Sequence, residues 1–181
     1  MNILDKIIAD KKREIELKKS IISVKQLECS DLFGRRTVSL SESIKTSSGI
    51  IAEHKRKSPS KATINSSFSV EEVVRGYEKA GASGISVLTD SKYFGGSLED
   101  LQLARASVQT PLLRKEFVMD EFQILEAKSN GADAILLIAS VLARTEIKQL
   151  SEFAQALSLE VLLEIHNVEE LEKAIMPSLD L

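Results

Sequence analysis

From Gly49 onward the sequence alternates short apolar runs with longer helical segments, and this alternation limits the fold more than any other feature. Runs rich in Ile, Val and Leu between turn residues predict five strands. We place them at Ile50–Lys55, Ile85–Thr89, Leu112–Lys115, Ala134–Ile138 and Val161–Ile165. Strands that alternate with helices are typical of βαβ units. The sequence therefore predicts an α/β protein with a parallel sheet.

The helical segments between these strands carry start and stop signals. A side-chain acceptor followed three residues later by an acidic residue or a glutamine predicts a capped helix N-terminus. Such pairs occur at Ser69 with Glu72, Ser97 with Asp100, Asp120 with Gln123, and Asn167 with Glu170. Gly81 and Gly131 each precede a strand, where a left-handed residue ends a helix. These signals indicate that a βα unit repeats.

Repeated βα units form either a closed (βα)8 TIM barrel or an open doubly wound sheet, and the number of strands does not choose between them. The first strand is not followed by a G-x-G-x-x-G turn, which weighs against a dinucleotide-binding sheet. Ahead of the repeat, four aliphatic residues at helical spacing predict an amphipathic helix: Ile3, Leu4, Ile7 and Ile8. We therefore divide the chain into an N-terminal helical extension, 1–48, and the βα repeat, 49–181, which is the barrel part if the sheet closes.

Composition excludes several classes of partner. The 24 basic and 27 acidic residues leave a net charge of -3, so no general field attracts nucleic acid or an anionic membrane. No apolar run approaches the ~20 residues of a membrane span, and we find no signal peptide. Cys29 is the only cysteine, which excludes an intrachain disulfide and a Cys-rich metal site. A lone cysteine favours a reducing compartment, so we expect a cytoplasmic protein.

Four charged residues interrupt the apolar strands near their carboxyl ends. Glu53 and Lys55 share a face of the first strand, whereas Lys115 closes the third strand. Glu164 lies one residue before the end of the fifth predicted strand. Any one of these four residues alone is also explained as a charged side chain at the point where a strand reaches solvent. In a barrel the strand carboxyl ends form one rim, so the four would converge. Two lysines and two glutamates together suit acid/base chemistry on an anionic substrate.

Two loops offer further binding groups. Residues 55–61, Lys-Arg-Lys-Ser-Pro-Ser-Lys, fit either a phosphate or carboxylate cradle or a basic flexible loop. Residues 93–97, Tyr-Phe-Gly-Gly-Ser, fit either the close approach of a ligand or an ordinary turn. On the sequence pattern alone, Phe117 and Leu136, near the third and fourth strands, are assigned to the core. His54 has the opposite parity to Glu53 and Lys55 and should point toward the helices, and His166 has no paired ligand nearby. We assign neither histidine to a metal site nor to catalysis.

Four segments together resemble the indole-3-glycerol-phosphate synthase family. They are Glu-His-Lys-Arg-Lys-Ser-Pro-Ser at 53–60, Lys-Tyr-Phe-Gly-Gly-Ser at 92–97, Leu-Arg-Lys-Glu-Phe at 113–117 and Leu-Leu-Glu-Ile at 162–165. The resemblance covers essentially the whole chain and implies a TIM barrel whose N-terminal extension folds over the barrel mouth. It implies a lyase of tryptophan biosynthesis that uses no metal or organic cofactor. Such an enzyme closes the ring of 1-(2-carboxyphenylamino)-1-deoxyribulose 5-phosphate, losing carbon dioxide and water and giving indole-3-glycerol phosphate.

The resemblance also implies roles for individual residues. Lys115 is expected to be a general acid toward the substrate carbonyl or its developing hydroxyl. Lys55 is expected to pair with the substrate carboxylate and to share acid duty, with the order of the two lysines left open. Glu164 is the expected general base in dehydration, and Glu53 is expected to orient lysine and substrate. The expected substrate-binding residues are Ser58 at the phosphate and Pro59, Phe94, Phe117 and Leu136 around the anthranilate ring.

The chain departs from the family pattern in places. Ala62 stands where glycine is usual, and Glu116 where aspartate is common. A complete barrel needs ~250 residues, so we expect about three βα units and their phosphate-binding glycines to be missing. We therefore expect the 181-residue chain alone to have little or no activity. Two alternatives stay open: an inactive barrel fragment that associates with a partner through open sheet edges, or another phosphate-binding barrel isomerase of amino-acid biosynthesis.

Overall fold

The computed structural model describes residues 2–65 and 67–181, which form a five-stranded parallel sheet flanked by helices. The strands are neighbours in sequence order: β1 (Ile51–His54), β2 (Gly84–Leu88), β3 (Leu112–Lys115), β4 (Ala134–Ile138) and β5 (Glu160–Glu164). The helices are α1 (Ile3–Ile21), α2 (Val24–Glu28), α3 (Leu40–Thr46), α4 (Val70–Lys79), α5 (Ser91–Phe94), α6 (Leu98–Ser107), α7 (Glu121–Ser129), α8 (Arg144–Ala156) and α9 (Val168–Ala174). The predicted parallel architecture is confirmed, and each strand boundary lies within one residue of its predicted position. In the described part of the chain, no helix is long and apolar enough to span a membrane.

The central strands β2, β3 and β4 are buried on both faces, as their nearly continuous apolar sequences predict, whereas β1 and β5 are partly exposed. On one face, Val87 and Ile135 pack against apolar residues of α4, α6, α7 and α8. On the other face, Leu113 and Leu136 pack with Leu40 of α3. Side chains alternate along a strand, so this second face is the one on which the charged residues of the strand ends lie.

The predicted helix boundaries are confirmed. Each predicted cap accepts a backbone N–H of the opening turn of its helix: Ser69, Ser97, Asp120 and Asn167. Gly81 and Gly131 have φ angles of 84° and 86°, the left-handed conformation expected where a helix ends. At Gly131 a Cβ atom would also lie 2.7 Å from Cγ of Arg105. Local signals in the sequence therefore set the ends of these units.

Helix α1 lies along the loops that follow β2 and β3, at the carboxyl ends of the strands. Asp10 of this helix forms a 2.6 Å salt bridge with Lys92. The predicted helix is confirmed, but the apolar face assigned to it is wrong in part, because Ile3 is 53% exposed. The buried residues instead recur every fourth position: Ile7, Lys11 and Ile15. The division of the chain into an extension and a barrel part stays a prediction.

Helix α3 lies at the opposite end of the sheet. Leu40 is fully buried there, and a Cβ atom on Gly84 would lie 2.3 Å from Cδ1 of Leu40. The Ser43 hydroxyl donates a 2.7 Å hydrogen bond to the Ser83 carbonyl oxygen, which holds α3 against the start of β2. The amino ends of the strands are therefore covered by α3, and the open end of the sheet is the carboxyl end.

Candidate active site

A cavity of about 250 Å³ lies at the carboxyl ends of the strands. Because the strands are parallel, these ends meet at one edge of the sheet, and distant parts of the sequence share the cavity. Its lining comes from all five strands or the loops that follow them: Glu53, Lys55, Leu88, Asp90, Phe94, Lys115, Glu116, Phe117, Leu136, Ile138 and Glu164. The cavity is therefore where the sequence predicted a site.

Strand register brings the charged residues to one level. Lys115 of β3 is the partner of Leu88 in β2, and Glu164 of β5 is the partner of Ile138 in β4. Neighbouring strands lie ~4.8 Å apart, so paired side chains on one face project side by side. β1 adds Glu53 to the same cavity wall. The strand ends, rather than a flexible loop, therefore position the ionisable groups.

Two lysine–glutamate pairs stand at the cavity. Lys55 Nζ lies 2.6 Å from Glu53 Oε1, and Lys115 Nζ lies 2.9 Å from Glu164 Oε2. The four side chains are between 30% and 33% exposed, so a ligand can reach them. An ammonium carries three N–H groups, and a single glutamate occupies only one of them. Each pair therefore fixes a lysine in place and leaves it able to bind or protonate a ligand.

The remaining wall is apolar and includes two aromatic rings. The ring centroids of Phe94 and Phe117 lie 6.1 Å apart with an interplanar angle of 39°, and Leu136 is 1% exposed. Gly95 has a φ of 69° and ends α5 directly after Phe94. A Cβ atom on Gly96 would lie 1.9 Å from a carbonyl oxygen of β2, so only glycine permits this close turn. This wall suits a flat aromatic ligand.

The structure does not bring Ser58 and Pro59 to the cavity wall. Both lie in the loop between β1 and α4, where the Ser58 N–H donates to the Lys61 carbonyl oxygen at 2.8 Å and Pro59 is exposed. Arg56 Nη2 donates to Asp100 Oδ1 at 2.8 Å and ties the base of this loop to α6. The other predicted site residues do line the cavity: Glu53, Lys55, Phe94, Lys115, Phe117, Leu136 and Glu164.

Sequence reasoning missed two carboxylates of the wall. Asp90 and Glu116 line the cavity and are only 2% and 3% exposed. Asp90 comes two residues after β2, at a strand carboxyl end like the charged residues that were recognised, so the same rule would have found it. Glu116 lies within a family-like segment but received no role. Both acids are buried beside a site that is expected to bind an anion. Their negative charge therefore requires a compensating cation nearby.

The sequence profile of the family described as indole-3-glycerol phosphate synthase matches residues 4–180. A curated relative of that name from Bacteroides thetaiotaomicron is 49% identical over 175 residues, which cover 94% of this chain and 66% of the relative. A relative of the same name from Campylobacter jejuni is 43% identical, and the match covers 99% of this chain and 71% of the relative. Another from Neisseria meningitidis is 40% identical, and the match covers 95% of this chain and 68% of the relative. The chain thus spans about two thirds of the length of these relatives. Both the profile and the relatives show that the chain belongs to the indole-3-glycerol phosphate synthase family, a family of TIM barrels.

Proposed function

We propose that this cavity closes the ring of 1-(2-carboxyphenylamino)-1-deoxyribulose 5-phosphate, with loss of carbon dioxide and water, to give indole-3-glycerol phosphate. The observation that carries the proposal is the convergence of two lysine–glutamate pairs and an aromatic wall on one cavity. The substrate combines a carboxylate, a ketone and an aromatic ring. Its site needs cations, proton donors and a flat apolar surface together, and the cavity offers all of these.

Lys115 is the proposed general acid. In ring closure the aromatic carbon that bears the carboxylate attacks the ketone carbon, and the ketone oxygen takes up a proton as the new carbon–carbon bond forms. The Lys115 ammonium is held by Glu164 at 2.9 Å and is partly exposed on the cavity wall. It can therefore direct an N–H toward that oxygen, and a positioned acid of this kind accelerates a step by ~10²- to 10⁴-fold.

Lys55 is the proposed partner of the substrate carboxylate. Its ammonium balances the carboxylate charge until carbon dioxide leaves and the aromatic ring is restored. Glu53 holds Lys55 at 2.6 Å, and both side chains lie on the cavity wall. In this arrangement Glu53 orients the lysine, and Lys55 shares the supply of protons with Lys115.

Glu164 is the proposed base in dehydration. In that step the hydroxyl takes a proton and leaves as water, while a proton leaves the neighbouring carbon and the double bond forms. A carboxylate 2.9 Å from Lys115 can accept the proton that leaves carbon and pass it to the lysine. The substrate oxygen takes up two protons over the whole reaction, so the other one is replaced from solvent, and both lysines are then restored. All these steps use side chains, so the proposal needs no metal or organic cofactor.

The substrate ring is proposed to lie between Phe94, Phe117 and Leu136, which form the apolar wall. Ser58 is proposed to contact the phosphate and Pro59 to complete the ring pocket. Both belong to the loop between β1 and α4, so these two roles require that the loop approaches the cavity when substrate binds.

A second candidate function is association with another chain. Among the described residues, β1 pairs with β2 along one edge only, and an unpaired strand edge offers backbone donors and acceptors to a partner. A chain that acts in this way would bind a partner carrying further βα units and make no product alone.

One experiment tests both candidates. The purified chain is incubated with 1-(2-carboxyphenylamino)-1-deoxyribulose 5-phosphate, alone and mixed with the separately expressed C-terminal third of the Bacteroides thetaiotaomicron relative. Indole fluorescence and mass spectrometry detect the product, and sedimentation velocity detects association. Product in either arm supports the synthase. Product that forms only in the mixture, together with a co-sedimenting complex, supports association as well. A folded chain that makes no product in either arm contradicts the proposed function.

A further inference from the structure

Lys11 of helix α1 is buried among three carboxylates. Its Nζ lies 2.8 Å from Glu14 of the same helix, 3.0 Å from Asp90 and 3.2 Å from Glu116. Only 2% of Lys11 is exposed, and it does not itself line the cavity. Burial opposes the charge on Lys11, but the carboxylates outweigh burial and hold the pKa of its ammonium above its ordinary value. The N-terminal helix thus supplies a positive charge to two acids of the cavity wall.

Each of these two acids holds a backbone segment that carries an aromatic residue of the wall. Asp90 accepts the N–H groups of Tyr93 at 2.7 Å and Phe94 at 3.2 Å. Glu116 accepts the N–H of Phe117 at 2.9 Å. If either carboxylate moves, the adjoining aromatic ring moves with its backbone.

We infer that Lys11 is a positioning residue of the proposed site, which acts on the site through Asp90 and Glu116. By neutralising both acids, it holds the segments that carry Phe94 and Phe117. Without Lys11, the two buried carboxylates lose their shared cation. Glu116 keeps a longer contact with Arg114 at 3.8 Å and the Thr89 hydroxyl at 3.0 Å, so we expect Asp90 to shift toward water more than Glu116. Unpaired negative charge beside the cavity also disfavours an anionic substrate. The effect on turnover rests on the proposed function, but the effect on the wall does not.

A second lysine of α1 separates this local role from simple docking of the helix. Lys18 Nζ lies 3.0 Å from Glu14 and 3.1 Å from Glu126 of α7. It therefore anchors the same helix to the barrel part. Its carboxylate partners do not line the cavity. Lys18→Met thus removes one anchoring charge from α1 and leaves both wall acids paired.

The position of the two rings can be measured without substrate. The chain contains six phenylalanines, and labelling them with 4-fluorophenylalanine gives fluorine NMR signals that Phe94→Leu and Phe117→Leu assign. We expect Lys11→Met to displace or broaden both assigned signals. Lys18→Met should leave them in place, and so should Lys12→Met, which removes the same charge from the exposed neighbouring position.

Turnover gives a second measurement in whichever preparation makes product. Misplacement of a wall by about 1 Å lowers rates by up to ~10²-fold, so we expect Lys11→Met to lower kcat/KM by ~10- to 100-fold. Lys11→Arg, which keeps the charge, should recover part of that loss. If no preparation makes product, the proposed function fails, but the fluorine spectra still test the role of Lys11.

Folded Lys11→Met protein with both signals unmoved would overturn the inference. Equal displacement by Lys18→Met would overturn it too, because docking of the helix would then explain the effect. If Lys11→Met does not fold, the double variant Lys11→Met, Glu116→Gln buries one negative charge fewer. The inference expects the Phe94 signal to stay displaced in that variant and the Phe117 signal to return toward its original position. Both signals at their original positions would contradict it.

Discussion

Strand β5 begins with Glu160 and ends with Glu164, and the two carboxylates have very different surroundings. Glu160 accepts hydrogen bonds from the Ser39 hydroxyl at 2.5 Å, the Leu40 N–H at 2.7 Å and the Ser41 N–H at 2.8 Å. It thereby satisfies the free N–H groups at the start of α3. At the other end of the strand, Glu164 faces the cavity, where a lysine is its partner.

The same contrast holds between the two ends of the whole sheet. At the amino end, Asp133 is completely buried and binds Arg35 at 2.5 Å, Arg105 at 2.8 Å, the Val38 N–H at 2.8 Å and the Leu112 N–H at 2.9 Å. Its four partners come from three separate parts of the chain. At the carboxyl end, the lysine–glutamate pairs are about one third exposed and carry few such bonds.

Asp133 and Glu160 at the amino end thus join segments of the chain, whereas the two lysine–glutamate pairs at the carboxyl end stay accessible and keep hydrogen-bonding groups free. This division matches the general property of parallel barrels, in which the amino face serves stability and the carboxyl face carries the chemistry. Substitutions at the two ends should therefore affect different quantities.

Asp133→Ala should have the largest effect. It leaves Arg105 buried without its carboxylate partner and leaves two backbone N–H groups without an acceptor. Removing one partner of a buried pair costs about 3–5 kcal/mol, so we expect that loss in the free energy of unfolding measured in urea. The exposed Asp31→Ala is the control and should change it by less than ~0.5 kcal/mol. A comparably small loss for Asp133→Ala would show that the amino end is not what stabilises the sheet.

Lys115→Met should have the largest effect on turnover. We expect at least a ~100-fold lower kcat, about 2.7 kcal/mol in activation free energy, because the substrate oxygen loses its proton donor. The free energy of unfolding should change by less than ~1 kcal/mol, since the Lys115–Glu164 pair is partly exposed. The control is Lys79→Met on the exposed side of α4. Near-normal turnover by Lys115→Met would remove the proposed acid from the mechanism.

The fold was largely predictable because its signals are local. A strand is recognised from consecutive apolar residues, and a cap from two residues three positions apart. Glu53, Lys115 and Glu164 were also recognised locally, from their phase within a strand and their place at its end.

Contacts between distant segments were not predictable in this way. Ser39 and Glu160 are 121 residues apart, and nothing near Ser39 indicates that a strand end will cap α3. Nothing near Lys11 in the sequence indicates that it is buried, because its partners Asp90 and Glu116 lie on loops far along the chain. The loop that carries Ser58 has its own Ser58–Lys61 hydrogen bond, but the Arg56–Asp100 contact that ties it to α6 joins residues 44 positions apart.

Glu160→Gln should have a moderate, pH-dependent effect on stability. Burial alone would raise the pKa of Glu160, but hydrogen bonds from Ser39, Ser41 and Leu40 outweigh burial and hold that pKa below its ordinary value. Folding therefore favours the ionised form, and the contribution is present above the ordinary pKa and is lost as the pH falls through the lowered one.

We expect Glu160→Gln to lower the free energy of unfolding by about 1–2 kcal/mol at pH 7. The difference from the parent should shrink between about pH 5 and pH 3, as measured by urea unfolding at each pH. Glu152→Gln in the exposed pair with Lys148 is the control, with little effect at either pH. A difference that stays constant with pH would contradict a lowered pKa for Glu160 in the folded protein.

Glu164→Gln makes the same chemical change at the other end of β5 and should have the smallest effect on stability. Its contacts are the partly exposed Lys115 at 2.9 Å and His166 at 3.4 Å, which is 61% exposed. Pairs of this kind contribute about 0–1 kcal/mol, so we expect the free energy of unfolding to change by about 0.5 kcal/mol or less.

The proposed chemistry of Glu164→Gln should nevertheless suffer, since an amide cannot accept the proton that leaves during dehydration. Quenched reactions should then accumulate a product that is cyclised but not dehydrated, visible by mass spectrometry at one water above indole-3-glycerol phosphate. If only unreacted substrate is found, Glu164 acts before ring closure; if Glu164→Gln destabilises the protein as much as Glu160→Gln, the two ends of the sheet do not differ as proposed.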